Sequence, residues 1–219
     1  MRIVSAEHNR EVVAALNAAR ERLDIAMLGD SITAGLRVRR AAHAVWDTNF
    51  GGYKTAILGL GGSTVEELTY RLLSGHERLE RGPRVIILLI GINNRPAKQP
   101  ELLSHMAYLL SWLSTTYTRS RVILLAPLPS VLQRYRQLDA MWAGVAARQA
   151  AVNAAADGRP RIVYAPCGAL LDPRNKMFFR DGIHPLAAGY RRIFSCLTPT
   201  VRRLIQISRA EDAAGGIPP

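Results

Sequence analysis

Met27-Leu28-Gly29-Asp30-Ser31-Ile32-Thr33 is the stretch on which the reading of this chain turns. A hydrophobic run over 25–28 reaches a Gly-Asp-Ser turn, after which the residues neither alternate nor stay apolar. A buried strand that presents a hydroxyl at its carboxyl edge ends in this way, and open parallel sheets carry their chemistry at that edge. Taken alone, the same residues also suit an ordinary turn or a helix N-cap. The remainder of the chain decides between the two readings.

Working outward, helical spacing of Val12, Val13, Leu16, Ala19 and Leu23 predicts an amphipathic helix over 7–23, laid before a first strand at 24–29. Residues 32–50 read as a helix or an ordered loop beside Ser31, rimmed by Arg37, Arg39 and Arg40. A second apolar run at 55–60 ends in Gly59-Leu60-Gly61-Gly62. Two overlapping capping boxes follow, Ser63 with Glu66 and Thr64 with Glu67, which predict a helix over 65–73. The strongest strand, 84–90, is apolar on both faces, as a central parallel strand between two helical layers must be, and it ends at Gly91-Ile92-Asn93-Asn94. Further strands are expected at 121–126 and 161–165, with helices from Pro100 through Leu113, over 138–156 and over 186–204. The expected organisation is a single domain over 1–208 and a disordered tail at 209–219.

Strands alternating with helices imply an α/β domain with a mostly parallel five-stranded sheet and right-handed crossovers. In such a sheet the carboxyl ends of the first three strands share one edge, so Ser31, Gly62 and Asn93 converge in a crevice. Serine hydrolysis needs a hydroxyl nucleophile, a base, an orienter for the base, and donors for the developing oxyanion. Ser31 supplies the hydroxyl. Asp181-Gly182-Ile183-His184-Pro185 supplies the other two members: Asp181 can accept from one ring nitrogen of His184 while the other faces Ser31. His8, His43, His76 and His105 lie on helices or charged loops with no such partner in the pattern. The backbone N–H groups of Ser31 and Gly62 and the side-chain amide of Asn93 are the candidate oxyanion donors. Each motif has a plainer reading: a surface histidine in a turn, glycines for tight strand–helix packing, an asparagine closing a cap. Their joint arrival at one sheet edge favours the chemical reading.

The 219 residues suffice for one well-cored domain, and 48% hydrophobic with 21% charged content belongs to a globular protein. A net charge of +12 invites a polyanion partner. The charge is scattered arginine, with lysine only at Lys54, Lys98 and Lys176, and no basic stripe interleaved with aromatics, so no specific nucleic-acid function is expected. No apolar run spans a membrane, and residues 1–22 lack the apolar core of a signal peptide. Cys167 and Cys196 show neither metal-ligand spacing nor a disulfide framework and are expected as buried thiols. A cytoplasmic location is the expectation, or periplasmic if a signal has been removed.

The blocks Gly29-Asp30-Ser31-Ile32-Thr33, Gly59-Leu60-Gly61-Gly62, Gly91-Ile92-Asn93-Asn94 and Asp181-Gly182-Ile183-His184-Pro185 resemble, in order and interval, the four blocks of the SGNH (GDSL-type) hydrolases. The resemblance implies a flavodoxin-like three-layer α/β/α fold. It implies a catalytic set of Ser31, Asp181 and His184, oxyanion donors from Ser31, Gly62 and Asn93, and no metal or cofactor. Three positions depart from the family pattern: Ile57 where asparagine is frequent, Ser63 where aspartate is frequent, and Asn94 where aspartate is common. The Gly-x-Ser-x-Gly elbow of α/β-hydrolases is absent. The expected activity is carboxylic ester hydrolysis through an acyl-Ser31 intermediate, removing a small acyl group, acetyl, from a carbohydrate. A lysophospholipase, thioesterase or acyltransferase using the same triad, and a saccharide-binding module without turnover, are the alternatives. Segments 37–50 and 127–137, with Trp46, Phe50, Leu132 and Tyr135 beside arginines, are expected to flank Ser31; they suit an anionic saccharide or, on the plainer reading that is slightly favoured, form a solvated charged rim over ordinary core aromatics.

Overall fold

Val85–Leu89 (β3) is the middle of the molecule: every residue of it is buried, and its neighbours bond to it on both sides. The computed structural model describes residues 2–20, 22–94, 99–131 and 135–214. With Ile25–Gly29 (β1), Thr55–Gly59 (β2), Arg121–Leu125 (β4) and Ile162–Ala165 (β5), β3 forms a five-stranded sheet in the order β2-β1-β3-β4-β5, with every pair parallel. That is the doubly wound flavodoxin-like order.

Strand alternation divides the core in two. Ala26, Leu28, Ile86, Leu88, Val122 and Leu124 face one layer of helices, α1 (Arg2–Ala18), α4 (Val65–Leu73), α5 (Gln99–Thr116) and α6 (Tyr135–Asp157). Ile25, Met27, Val85, Ile87, Ile123 and Leu125 face the other, α2 (Ser31–Val38), α3 (Arg40–Phe50) and α7 (Ala187–Ala214). Register aligns the strand ends: Gly29 lies opposite Gly59 on one side and Leu89 on the other. The turns after β1, β2 and β3 therefore open at one level, the topological switch point of the sheet.

Several expectations are corrected. The first helix spans Arg2–Ala18, not 7–23; Arg20, at φ 51, leaves the helical region. Asn17 fixes that end by accepting from the Glu80 N–H and donating to the Arg78 carbonyl. The last helix does not stop near 204 with a disordered tail from 209; α7 continues to Ala214 because Glu211 and Asp212 are held in ion pairs with Arg121, Arg22, Arg84 and Arg119. Residues 215–219 lie outside the described residues. Cys167 and Cys196 are not free thiols. They form a disulfide, with Cα atoms 5.7 Å apart, that joins the 3-10 turn Cys167–Leu170 after β5 to α7. Among the described residues no helix is long and apolar enough to cross a membrane.

Candidate active site

Ser31 is set by the way β1 ends. Asp30 caps the following helix, its carboxylate accepting from the Ile32 N–H at 2.9 Å, so Ser31 is the first residue of α2 and its own N–H has no acceptor within the helix. Burial pushes the Asp30 carboxyl up to about 7, against the pull of backbone N–H groups and of Arg71. From the far side, the Tyr190 hydroxyl donates to the Ile32 carbonyl at 2.6 Å and ties α7 to the turn.

His184 is held by a turn of its own making. One oxygen of Asp181 accepts from the backbone N–H groups of Ile183 and His184, at 3.1 and 2.8 Å, while the other lies 2.8 Å from Nδ1 of the His184 ring. Burial works against the Asp181 carboxylate, but these donors outweigh it and hold the carboxyl down at about 2. With Nδ1 committed, Nε2 points to Ser31, 2.9 Å from Oγ. The loop is closed behind the ring by the Arg180 N–H to the His184 carbonyl and the Leu186 N–H to the Phe178 carbonyl, and it is tied to the β4 turn by the Val131 N–H to the Gly182 carbonyl. Ser31, His184 and Asp181 thus stand in a hydrogen-bonded chain from elements 153 residues apart. That chain can move a proton off a hydroxyl.

The turn after β2 comes up to Ser31. Gly62 adopts φ +76, a left-handed conformation that favours glycine. A Cβ on Gly61 would lie 4.0 Å from that of Ser31. After β3, Gly91 at φ +115 passes so close to Trp142 that a Cβ would sit 2.6 Å from its ring, and Asn93 follows two residues later. The Asn93 amide donates one hydrogen to the Ser63 carbonyl at 2.9 Å, which fixes its plane and leaves its other N–H for a ligand. The neighbouring Asn94 accepts from the Val65 N–H at 3.0 Å and donates to Glu66 at 2.7 Å. An aspartate at 94 could accept but not donate, so asparagine there matches Glu66. Thr64, not Ser63, caps α4, in a box with Glu67. The Ser63 carbonyl serves Asn93 instead.

The sequence alone missed several supports of this site. His105 is not without a partner: its Nδ1 meets Glu66 at 2.8 Å, and with the backbone and Asn94 it keeps the Glu66 carboxyl below its ordinary range despite burial. A buried chain from Asn9 through Glu77 to Arg71 reaches the carbonyls of Gly59 and Gly29 at the ends of β2 and β1. Neither link has a local signature, because its members are far apart in sequence. Trp46 and Phe50 are core aromatics rather than faces for a sugar ring: they are buried at 1% and 0% exposure and pack with Phe194. Arg39 does reach the site, donating to the Pro185 carbonyl at 3.1 Å. Leu132 and Arg134 lie outside the described residues, as do the side chains of Tyr135 and Arg136.

Comparison with known proteins relates the chain to acylhydrolases and esterases. Over 124 residues, 56% of this chain, it is 25% identical to platelet-activating factor acetylhydrolase IB subunit alpha2 of Homo sapiens, and it spans about half (50%) the length of that relative. The fold is similar to that of a Clostridium thermocellum family 3 carbohydrate esterase, with TM-score 0.61 and 19% identity over 84% of this chain and 100% of the other. It is also similar to a GDSL-like lipase from Bacteroides thetaiotaomicron, with TM-score 0.58 and 19% identity over 89% and 98%. The GDSL-like Lipase/Acylhydrolase family profile matches residues 27–192, from the end of β1 through His184 into α7, and the chain belongs to that family.

Proposed function

We propose that the protein is a serine esterase that removes short acyl groups through an acyl-Ser31 intermediate. The observation that carries this reading is the Ser31–His184–Asp181 chain at 2.9 and 2.8 Å, standing beside three candidate oxyanion donors. The Ser31 hydroxyl attacks the ester carbonyl carbon while its proton passes to Nε2 of His184. The carbonyl oxygen, now an anion, accepts from the N–H groups of Ser31 and Gly62 and from the Asn93 amide. Collapse breaks the ester C–O bond, and the alcohol leaves with the proton from Nε2. Water then repeats the sequence on the acyl-serine: Nε2 takes a proton from it, the second oxyanion forms in the same place, and acid and free Ser31 are released. Asp181 remains ionised and holds the ring in the tautomer with its proton on Nδ1.

Acetyl is the acyl group we favour, and a carbohydrate the alcohol. The first rests on the acetylhydrolase named among the relatives, the second on the carbohydrate esterase of similar fold. The same relative favours a second reading, with platelet-activating factor as the ester. A fluorophosphonate probe should label the wild-type protein at Ser31. Ser31→Ala should lose the label and reduce turnover of an activated acetyl ester by about 10⁴ to 10⁶, with little change in melting temperature. Retention of more than a few per cent of turnover would overturn the nucleophile.

A further inference from the structure

At the amino-terminal edge of the sheet, one strand length (about 16 Å for five residues) from Ser31, arginines crowd around too few carboxylates. Asp212, near the end of α7, pairs with Arg22, Arg84 and Arg119 together. Asp24 is shared by Arg84 and Arg209, and Glu211 is paired with Arg121. In these contacts five guanidiniums meet three carboxylates. Arg119 and Arg209 reach solvent, but the side chains of Arg22 and Arg84 are only 13% and 10% exposed. Burial holds both guanidinium pKa values below their usual range, and at Arg84 repulsion from Arg22 adds to it. Buried positive charge without equal counter-charge is costly, and a bound anion relieves it.

A cavity of about 210 Å³ opens on this cluster; Arg22, Arg81, Arg84 and Arg119 line it with the carboxylates of Glu80 and Asp212, beside Thr116 and Thr118. It is smaller than the roughly 300–1,000 Å³ of sites for drug-sized ligands, which suits one phosphate group better than a nucleotide. Guanidinium forks match phosphate oxygens bidentately, and the threonine hydroxyls can donate to others. Four arginines against two carboxylates in this lining leave two positive charges that a dianion would balance. We propose that this cavity binds a phosphate group, as inorganic phosphate or a phosphomonoester, between Arg22, Arg84 and Arg119. The anion would join three separate parts of the chain: the segment after α1, which carries Arg22, and the segments before β3 and β4, which carry Arg84 and Arg119. Binding should therefore be read as stability.

The test is thermal unfolding of the whole chain in rising inorganic phosphate, with sodium chloride at equal ionic strength as control and a phosphomonoester, phenyl phosphate, as a second arm. Melting temperature should climb and saturate with phosphate and not with chloride. Arg119→Ala, chosen because its side chain is 38% exposed and stands apart from Ser31, should raise the half-saturating concentration at least tenfold. Arg119→Lys, which keeps the charge but loses the fork, should fall between the two and serves if the alanine variant folds poorly. Phenyl phosphate acting like phosphate would assign the site to a phosphomonoester as well; phosphate alone would restrict it to the free ion. A chloride response equal to that of phosphate, or an unchanged half-saturation in both Arg119 variants, would overturn the proposal.

Discussion

Asn93 and Asn94 divide one turn between chemistry and support. One Asn93 N–H is pinned by the Ser63 carbonyl, which leaves the other for the oxyanion role we propose; Asn94 locks the turn to α4 through Val65 and Glu66. Removal of a single preorganised oxyanion donor costs about 10² to 10³ in turnover. Asn93→Ala should therefore lower kcat by that factor with a smaller change in KM, and steady-state kinetics on an acetyl ester will measure it. Asp30 supports a different prediction. It is fully buried, with its carboxyl pushed up to about 7, so the folded chain holds a proton there that the unfolded chain releases near pH 4. The stability tied to that proton is fully present below about pH 4 and is lost as pH rises toward 7. Asp30→Asn keeps the oxygen that caps Ile32 and cannot ionise. Its stability relative to wild type, from urea unfolding at each pH, should rise across that window and level off above it. A difference that stays flat from pH 4 to 8 would place the proton elsewhere.

At the scale of elements, periodicity located every strand, because runs such as Val85–Leu89 have few other readings, and the capping box of Thr64 and Glu67 fixed the start of α4. The register that levels three strand ends follows from a parallel sheet, so Ser31, Gly62, Asn93 and the Asp181–His184 turn were legible before any coordinates. What sequence did not reveal depends on partners distant along the chain. Nothing local to α7 predicts that Asp212 will be stapled by Arg22, Arg84 and Arg119, and an Ala- and Gly-rich end reads as a tail. Nor do two cysteines reveal that the turn after β5 lies against α7. That disulfide closes a loop with a sequence separation of 29, for which loop-closure entropy gives roughly 3–4 kcal/mol. Dithiothreitol, or Cys167→Ser with Cys196→Ser, should lower the melting temperature by several degrees. Because the bond lies between the turn after β5 and the body of α7, turnover below the melting range should change less than twofold. An unchanged melting temperature in the double variant would mean the bond does not form in solution.

Over the whole molecule, 29 basic residues stand against 17 acidic ones, and Arg39 lies beside the His184 turn, donating to the Pro185 carbonyl. A net charge of +12 steers anions at long range, and salt removes the effect as the screening length falls from about 30 Å at 0.01 M to about 8 Å at 0.15 M. An acetyl ester carrying a carboxylate should therefore have a higher kcat/KM than its neutral counterpart at low salt, and the gap should narrow at physiological salt while kcat stays level. The acyl side is governed by different physics. Trp46 and Phe50, the large apolar groups nearest in sequence to α2, are committed to the core against Phe194, so they cannot line a channel for a long chain. Each methylene left in water forgoes about 0.8 kcal/mol of transfer energy. Octanoyl esters should accordingly gain no binding advantage that offsets their bulk, and acetyl esters with the same leaving group should be turned over faster. An octanoyl preference would reject the acetyl reading and favour a phospholipid or thioester acyl group on the same serine. Equal kcat/KM for charged and neutral acetyl esters at 0.01 M salt would remove the anionic substrate while leaving the triad untouched.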